Sequence, residues 1–284
     1  MVAAAALKTL AEHACFGGVQ SFHEHLSTVT GLPMRFGVYR PPQAAHGRVP
    51  AVVYLAGLTC TEETFFIKAG AQRYAAEQGL MLVSPDTSPR GTGIAGATGD
   101  WEIGEGAGFY VDASEAPWSR HFRMESYVTQ ELHALLMQHF PVRAGRIGLM
   151  GHSMGGHGAL TLALRHPRQY RSVSALAPIC APSQCPWGRK AFTQYLGPDE
   201  AAWLQHDATA LMKAGARAPH LLIDQGLADR FLDEQLKPEL LEAAARDTAQ
   251  ALTLGRHAGY DHGYYFIASM MASHLAHHAR GLYA

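Results

Sequence analysis

The 284-residue sequence has few charged residues, no excess of one charge sign and few cysteines. Charged residues make up 17% of the chain, and its formal net charge is −1 at pH 7. We therefore expect no basic surface that would attract nucleic-acid phosphates. The four cysteines contain no Cys-x-x-Cys pair, so we expect reduced thiols and a cytoplasmic location. These cysteines are Cys15, Cys60, Cys180 and Cys185.

Long apolar segments are also missing from the sequence. Residues 1–7 lack a basic start ahead of a long apolar stretch, which argues against a signal peptide. No apolar run approaches the roughly 20 residues that a membrane-spanning helix needs. Hydrophobic residues nevertheless make up 48% of the chain, which is enough for a substantial core. The sequence therefore predicts a soluble, folded protein with neither nucleic acid nor membrane as a partner.

Short apolar runs alternate with longer helical patterns along the chain. The runs are nearly continuous in apolar residues, as in parallel strands covered on both faces, and lie at 50–55, 80–84, 146–150, 172–177, 219–224 and 251–254. Helical patterns lie around 62–78, 124–139, 155–166 and 232–247, and a last one follows His262. This alternation predicts an α/β fold with a mostly parallel central sheet and helices on both faces. Residues 15–27 and 34–39 predict an antiparallel N-terminal edge, and we expect residues 1–284 to form one domain.

The strongest motif is GHSMGG at 151–156, between the run that ends at Met150 and a helical pattern. A nucleophile raised above a sheet needs a sharp strand-to-helix turn, and the glycines around it let the neighbouring chain approach closely. Gly-x-Ser-x-Gly also occurs by chance, so the prediction depends on the strand before it and the helix after it. Together they predict an α/β-hydrolase fold with Ser153 as the nucleophile.

A serine nucleophile needs a histidine base and a carboxylate that orients it, and this fold places them in the order Ser, acid, His. His262 follows the last predicted strand in a glycine-bounded loop and is the predicted base. His257 is a rival base, but it lies closer to the strand end, so a shorter loop is available to bring it to the serine. His274, His277 and His278 have a helical spacing that could suit a metal, but we expect a solvated helix face there.

Asp229 is the predicted acid, because a loop of suitable length separates it from the strand at 219–224. Asp224 is the fallback, although we expect it to bond backbone at the strand end, and Asp233 is expected in the next helix. The developing oxyanion needs two backbone N–H donors, each worth about 3 kcal/mol in the transition state. Met154 follows the nucleophile and supplies one, and we expect Leu58, after Gly57, to supply the other.

These residues and their neighbours resemble the S-formylglutathione hydrolase family, also called the esterase D family. The resemblance covers nearly the whole chain, from about Cys15 to the final helix. The matching stretches are GLTCTE at 57–62, SPDTSPRG at 84–91, GAGFYVD at 106–112, PW at 117–118, GHSMGGHG at 151–158, CPWG at 185–188, IDQG at 223–226 and GYDH at 259–262. Several long matches in one order are far more specific than Gly-x-Ser-x-Gly alone.

The resemblance implies hydrolysis of the thioester S-formylglutathione to formate and glutathione, a step of formaldehyde detoxification. It also implies a homodimer, the triad of Ser153, Asp229 and His262, and oxyanion donors at Leu58 and Met154. Acyl transfer through such a triad needs no metal or organic cofactor. Two positions depart from the family pattern, Glu125 and Gly263, and they leave local loop or pocket detail open.

The resemblance places Cys60 near the active site without a catalytic role, and a small buried hydrophobe is its ordinary alternative. Trp101, Trp118 and Trp187 either line the substrate pocket or pack in the core. Two other functions remain open at this point. One is a general carboxylesterase or acyltransferase of the same fold, and the other is a catalytically silent binding protein.

Overall fold

A computed structural model describes residues 7–284, and residues 1–6, on which the signal-peptide prediction largely rests, lie outside the described residues. Nine strands form one sheet. They are β1 Lys8–Cys15, β2 Gly18–Leu26, β3 Pro33–Arg40, β4 Val49–Leu55, β5 Met81–Pro85, β6 Val142–His152, β7 Ser172–Leu176, β8 Leu221–Gly226 and β9 Leu252–His257. Their order across the sheet is β1-β2-β3-β5-β4-β6-β7-β8-β9.

The sheet is mostly parallel, as predicted. Strands β4 to β9 pair in parallel, whereas β1, β2 and β3 form an antiparallel edge that joins the sheet at β5. The predicted edge is confirmed, and it contains one strand more than expected. Strand β1 was missed because its side chains are exposed or half-buried throughout, so it carries no apolar alternation.

Ten α-helices are described: α1 Thr64–Lys68, α2 Ala71–Gln78, α3 Met124–Ser126, α4 His133–His139, α5 Met154–Arg165, α6 Pro186–Leu196, α7 Glu200–Trp203, α8 Ala208–Lys213, α9 Pro238–Asp247 and α10 Tyr264–Tyr283. Each predicted helical region contains a helix. The pattern at 62–78 is divided into α1 and α2 at Gly70, which adopts a left-handed φ of 62°. Helices α6 to α8 were not predicted, because α7 and α8 have only 4 and 6 residues and because Pro186 and Gly188 lie in the first turn of the 11-residue α6.

Helices cover both faces of the sheet. The side chains of Ser172 and Ser174 in β7 contact α10, so the alternate residues Val173 and Ala175 point to the other face. Helix α5 packs against β4, β6 and β7. Strands β4, β5 and β7 are accordingly buried along their whole length, which explains their continuous apolar sequences.

The predicted site residues lie at one edge of the sheet. Ligand sites of open α/β sheets lie beyond the carboxyl ends of the strands, and the loops after β4, β6, β8 and β9 carry the predicted site residues. In residues 7–284 no helix is both long and apolar enough to cross a membrane.

Candidate active site

Ser153 occupies a strained turn between β6 and α5. Its φ of 57° and ψ of −119° are unusual for a residue with a side chain, and helix α5 begins at the next residue. The glycines of the motif have the steric role that the sequence predicts. A Cβ at Gly155 would lie 1.9 Å from the Leu55 carbonyl oxygen, and one at Gly151 would lie 2.0 Å from the Gly155 carbonyl oxygen. The turn therefore requires glycine at both positions.

Asp229 and His262 form a close pair. Nδ1 of His262 donates to Oδ2 of Asp229 at 2.5 Å, which leaves Nε2 as the nitrogen available to other groups. The backbone N–H of Phe231 donates to Oδ1 of the same carboxylate at 2.9 Å, and Asp229 is only 5% exposed. The aspartate is thus fixed by the loop that follows β8, and it in turn fixes the orientation of the imidazole.

Ser153 and His262 line one cavity with a volume of about 380 Å³. The ring of His152 lies beside them, with its centroid 4.6 Å from that of the His262 ring. Burial, and secondarily the neighbouring His262, lowers the pKa of His152 well below its ordinary value. His152 is therefore uncharged at neutral pH. The structure brings the predicted nucleophile, base and acid to one place.

In the loop after β4, the amide of Leu58 has no backbone acceptor. The N–H of Thr59 donates to the Gly106 carbonyl at 2.9 Å, and that of Cys60 donates to the Gly57 carbonyl at 3.3 Å. Among the described residues, the N–H of Leu58, which precedes Thr59, has no acceptor. The N–H of Met154 begins helix α5, where the first amides have no partner within the helix. Both predicted oxyanion donors therefore have an uncommitted N–H, and Leu58 lines the cavity with Ser153.

The other predicted neighbours divide between the cavity and the core. Cys60, Trp101 and Trp187 line the cavity, and the centroids of the two indole rings are 5.5 Å apart. Trp118 instead packs in the core against Phe122 and is 5% exposed. Burial raises the pKa of the Cys60 thiol, so the uncharged form dominates at neutral pH.

The expectation for Asp224 is wrong, because its side chain binds two histidines rather than backbone. Oδ1 accepts from Nε2 of His257 at 2.7 Å, and Oδ2 accepts from Nε2 of His274 at 3.0 Å. His257, the rival base, is thereby committed to Asp224. This aspartate is 6% exposed, and its two hydrogen bonds connect β8 to β9 and to α10.

The expected solvated face of α10 is also wrong, because His274 and His278 are fully buried. Ser174 lies between them, 2.8 Å from Nδ1 of His274 and 2.9 Å from Nε2 of His278, and Ser172 lies 2.7 Å from Nδ1 of His278. His277 is half-buried, and its Nε2 donates to the Val173 carbonyl at 3.1 Å. These spaced histidines face serines and backbone of the sheet, and no three-residue metal cluster occurs within residues 7–284.

The two departures from the family pattern have separate surroundings. Glu125 is buried and accepts from Nε of Arg165 and Nε2 of His166, each at 2.9 Å. Gly263 begins the turn into α10, and its N–H donates to Oδ1 of Asp261 at 2.9 Å. Neither contact alters the pair formed by Asp229 and His262.

Sequence reasoning missed two residues that line the cavity, Arg230 and Phe231. The Phe231 ring lies between those of Trp187 and His262, with centroid distances of 4.7 Å and 5.1 Å. Both residues follow the predicted acid directly. Their position next to Asp229 was the available signal, since the residues beside an acid at this sheet edge share its surroundings.

This chain is similar to known proteins over nearly its whole length. The Esterase family model matches residues 27–277. A relative from Paracoccus denitrificans named S-formylglutathione hydrolase is 52% identical over 277 residues, covering 98% of this chain and 99% of the relative. A relative of the same name from Mus musculus is 51% identical over 281 residues, covering 98% of this chain and 100% of the relative. The solved structure of an S-formylglutathione hydrolase from Agrobacterium tumefaciens has a TM-score of 0.95 and 49% identity, covering 97% of this chain and 99% of that one.

Proposed function

We propose that this chain, which belongs to the S-formylglutathione hydrolase family of esterases, cleaves the thioester S-formylglutathione to formate and glutathione. The chain is an enzyme of the hydrolase class with an α/β-hydrolase fold. The observation that carries the proposed substrate is the near-full-length similarity to relatives of that name. The arrangement of Ser153, His262 and Asp229 supports the mechanism described next.

In the first step Ser153 forms a bond to the formyl carbon. Nε2 of His262 accepts the Oγ proton as Oγ attacks, and the carbonyl electron pair moves onto oxygen. The backbone N–H groups of Leu58 and Met154 stabilise that oxyanion, each by about 3 kcal/mol. When the carbonyl re-forms, the C–S bond breaks and His262 returns the proton to the departing sulfur. A formyl ester on Ser153 and free glutathione result.

In the second step water replaces glutathione. His262 accepts a proton from the water as its oxygen attacks the formyl carbon, and the same two amides hold the second oxyanion. Collapse breaks the bond to Oγ, His262 returns the proton to Ser153, and formate leaves. Asp229 holds Nδ1–H of His262 throughout, so Nε2 is the basic nitrogen and the imidazolium is stabilised. Every step uses groups of this chain, the substrate and water.

A substrate panel tests this proposal. S-formylglutathione is compared with acetyl and longer-chain thioesters and esters, using the wild type and Ser153→Ala. We expect the highest kcat/KM for S-formylglutathione and a loss of about 10⁴-fold or more in Ser153→Ala, with the unfolding midpoint almost unchanged. A clear preference for longer acyl chains would contradict the substrate and favour a general carboxylesterase.

Three further properties belong to the same proposal. A cytoplasmic location is supported by four cysteines that are all free thiols. A single domain is supported by one sheet that contains all nine described strands. A homodimer is expected from the family resemblance, and light scattering during gel filtration measures it directly.

A further inference from the structure

A second cavity adjoins the one that contains Ser153. Its volume is about 390 Å³, and its lining includes Arg230, Phe231 and His262, which also line the first cavity of about 380 Å³. The two spaces therefore share one wall beside the proposed base. A formyl group fills little of either cavity, so most of the combined space is available to the thiol part of a thioester.

Arg230 is the one arginine or lysine that lines either cavity in the described part of the chain. Its guanidinium carbon lies 4.6 Å from the centre of the Phe231 ring. Arginine stacks well on aromatic faces and keeps its N–H groups free at the edge of the plane. Because stacking restricts the side chain before a ligand arrives, less conformational entropy is lost on binding.

The position of Arg230 is itself fixed by the proposed acid. Arg230 directly follows Asp229, and the N–H of Phe231 donates to the Asp229 carboxylate at 2.9 Å. The Phe231 ring is held in turn between Trp187 and His262. The guanidinium therefore stands on a short, hydrogen-bonded segment rather than on a free loop.

The side chain of Arg230 is exposed, and among residues 7–284 it forms no ion pair. Asp261, the one carboxylate residue that lines the second cavity in the described part of the chain, accepts at its Oδ1 from the N–H of Gly263. A cation on the wall of a thioester site is suited to an anionic group of the substrate.

We propose that Arg230 binds a carboxylate of the glutathione moiety and gives the site its preference for an anionic leaving thiol. This inference rests on the proposed function, since glutathione carries two carboxylates at neutral pH. The cysteinyl sulfur and the terminal carboxylate are separated by about two residues, or roughly 7 Å of extended chain. A thioester at Ser153 can thus extend into the second cavity. Arg230 acts on binding and takes no part in proton transfer.

The test compares two substrates in the wild type, Arg230→Gln and Arg230→Lys. S-formylglutathione carries the carboxylates, whereas p-nitrophenyl acetate is a neutral ester that uses the same nucleophile. In Arg230→Gln we expect KM for S-formylglutathione to rise about fivefold with kcat nearly unchanged, as for an exposed ion pair. The kcat and KM for the neutral ester should match those of the wild type. Arg230→Lys should recover part of the affinity for S-formylglutathione. Raising the ionic strength should raise the KM of the wild type more than that of Arg230→Gln.

Arg168→Gln is the matched control, because it removes an equal charge at an exposed site beyond the far end of the 12-residue helix α5, about 18 Å from Ser153. It should leave both substrates unaffected. If Arg230→Gln leaves the KM for S-formylglutathione unchanged, or raises both KM values equally, the role of Arg230 is wrong while the proposed function stands. If the wild type hydrolyses the neutral ester but not S-formylglutathione, the proposed function fails and the inference with it.

Discussion

Two aspartate–histidine pairs lie at the same edge of the sheet, Asp229 with His262 and Asp224 with His257. In each pair the residues are 33 positions apart, because β8 and β9 run in parallel and both pairs join the segments at their carboxyl ends. The two hydrogen bonds are also similar, at 2.5 Å and 2.7 Å. Sequence separation and bond length therefore do not distinguish the proposed catalytic pair from the structural one.

The nitrogen that each aspartate binds does distinguish them. Asp229 takes Nδ1 of His262 and leaves Nε2 available in a cavity that contains Ser153. Asp224 takes Nε2 of His257, and its second oxygen binds His274 in the core. The first pair can act as a general base, whereas the second joins β8, β9 and α10. We therefore propose that the same residue types serve catalysis in one place and stability in the other.

Replacing the two histidines separately should give the largest contrast. In His262→Ala the base is lost, and kcat/KM should fall by about 10⁴-fold or more. His257→Ala removes a residue of the structural pair, and kcat/KM should stay within about tenfold of the wild type. Steady-state kinetics with S-formylglutathione measures both values. Equal losses in the two variants would remove the distinction between the pairs.

Replacing the two aspartates should divide activity from stability. Asp229→Asn should lower kcat by about 10⁴-fold, because the amide no longer selects the required tautomer of His262. Asp224→Asn should instead lower the free energy of unfolding by about 2–4 kcal/mol, because a buried acceptor of two hydrogen bonds is lost. Urea denaturation and kinetics on both variants give the comparison. An Asp224→Asn protein with unchanged stability would contradict the structural role.

The buried side chain of His278 should make the free energy of unfolding depend on pH. Burial, and then the neighbouring His277 and His274, lowers the pKa of His278 well below its ordinary value. The unfolded chain takes up a proton near pH 6.5 that folded His278 does not, so stability is lost as the pH falls below that value. The contribution of His278 is about 1.4 kcal/mol per pH unit. Denaturation between pH 7.5 and pH 5 should show the loss, and His278→Asn should reduce its slope.

The nuclear magnetic resonance signals of the His278 ring give a second measurement that needs no variant. They should not titrate between pH 8 and pH 5 in the folded protein. A midpoint near pH 6.5 for this ring would contradict its buried, neutral state.

Cys60 should give the smallest effect, although it lines the same cavity as Ser153. Burial raises the pKa of its thiol, so little thiolate is present to compete as a nucleophile. Cys60→Ala should keep kcat/KM within about threefold of the wild type. Cys180→Ala, at a buried thiol outside the cavity, is the matched control. A loss of 100-fold in Cys60→Ala alone would give this thiol a role in the chemistry.

The sequence predicted the parts of the fold that have one dominant local cause. Continuous apolar runs located the buried parallel strands, and the glycines around Ser153 located the turn. Strand β1 was missed because an exposed edge strand is held by backbone hydrogen bonds that impose no apolar pattern. Helices α7 and α8 were missed because they have only 4 and 6 residues, and the 11-residue α6 was missed because Pro186 and Gly188 lie in its first turn and interrupt the helical pattern.

The arrangement of the candidate site was predictable where chain order and loop length restrict the choice, as for the contact between Asp229 and His262. The partners of Asp224 were not predictable in the same way. The spacing of His274 and His278 shows that they share a helix face, but not that Ser172 and Ser174 of the sheet cover it. Arg230 carried no motif, and its significance depends on a cavity that exists only in the folded chain.

The central claim is that His262, and not His257, makes the Ser153 oxygen reactive. A fluorophosphonate probe reacts with an activated serine, and mass spectrometry of the digested protein locates the label. We predict fast labelling of Ser153 in the wild type and in His257→Ala, and labelling slower by several orders of magnitude in folded His262→Ala. Labelling of His262→Ala at the wild-type rate, or no labelling of Ser153 in the wild type, would contradict the claim.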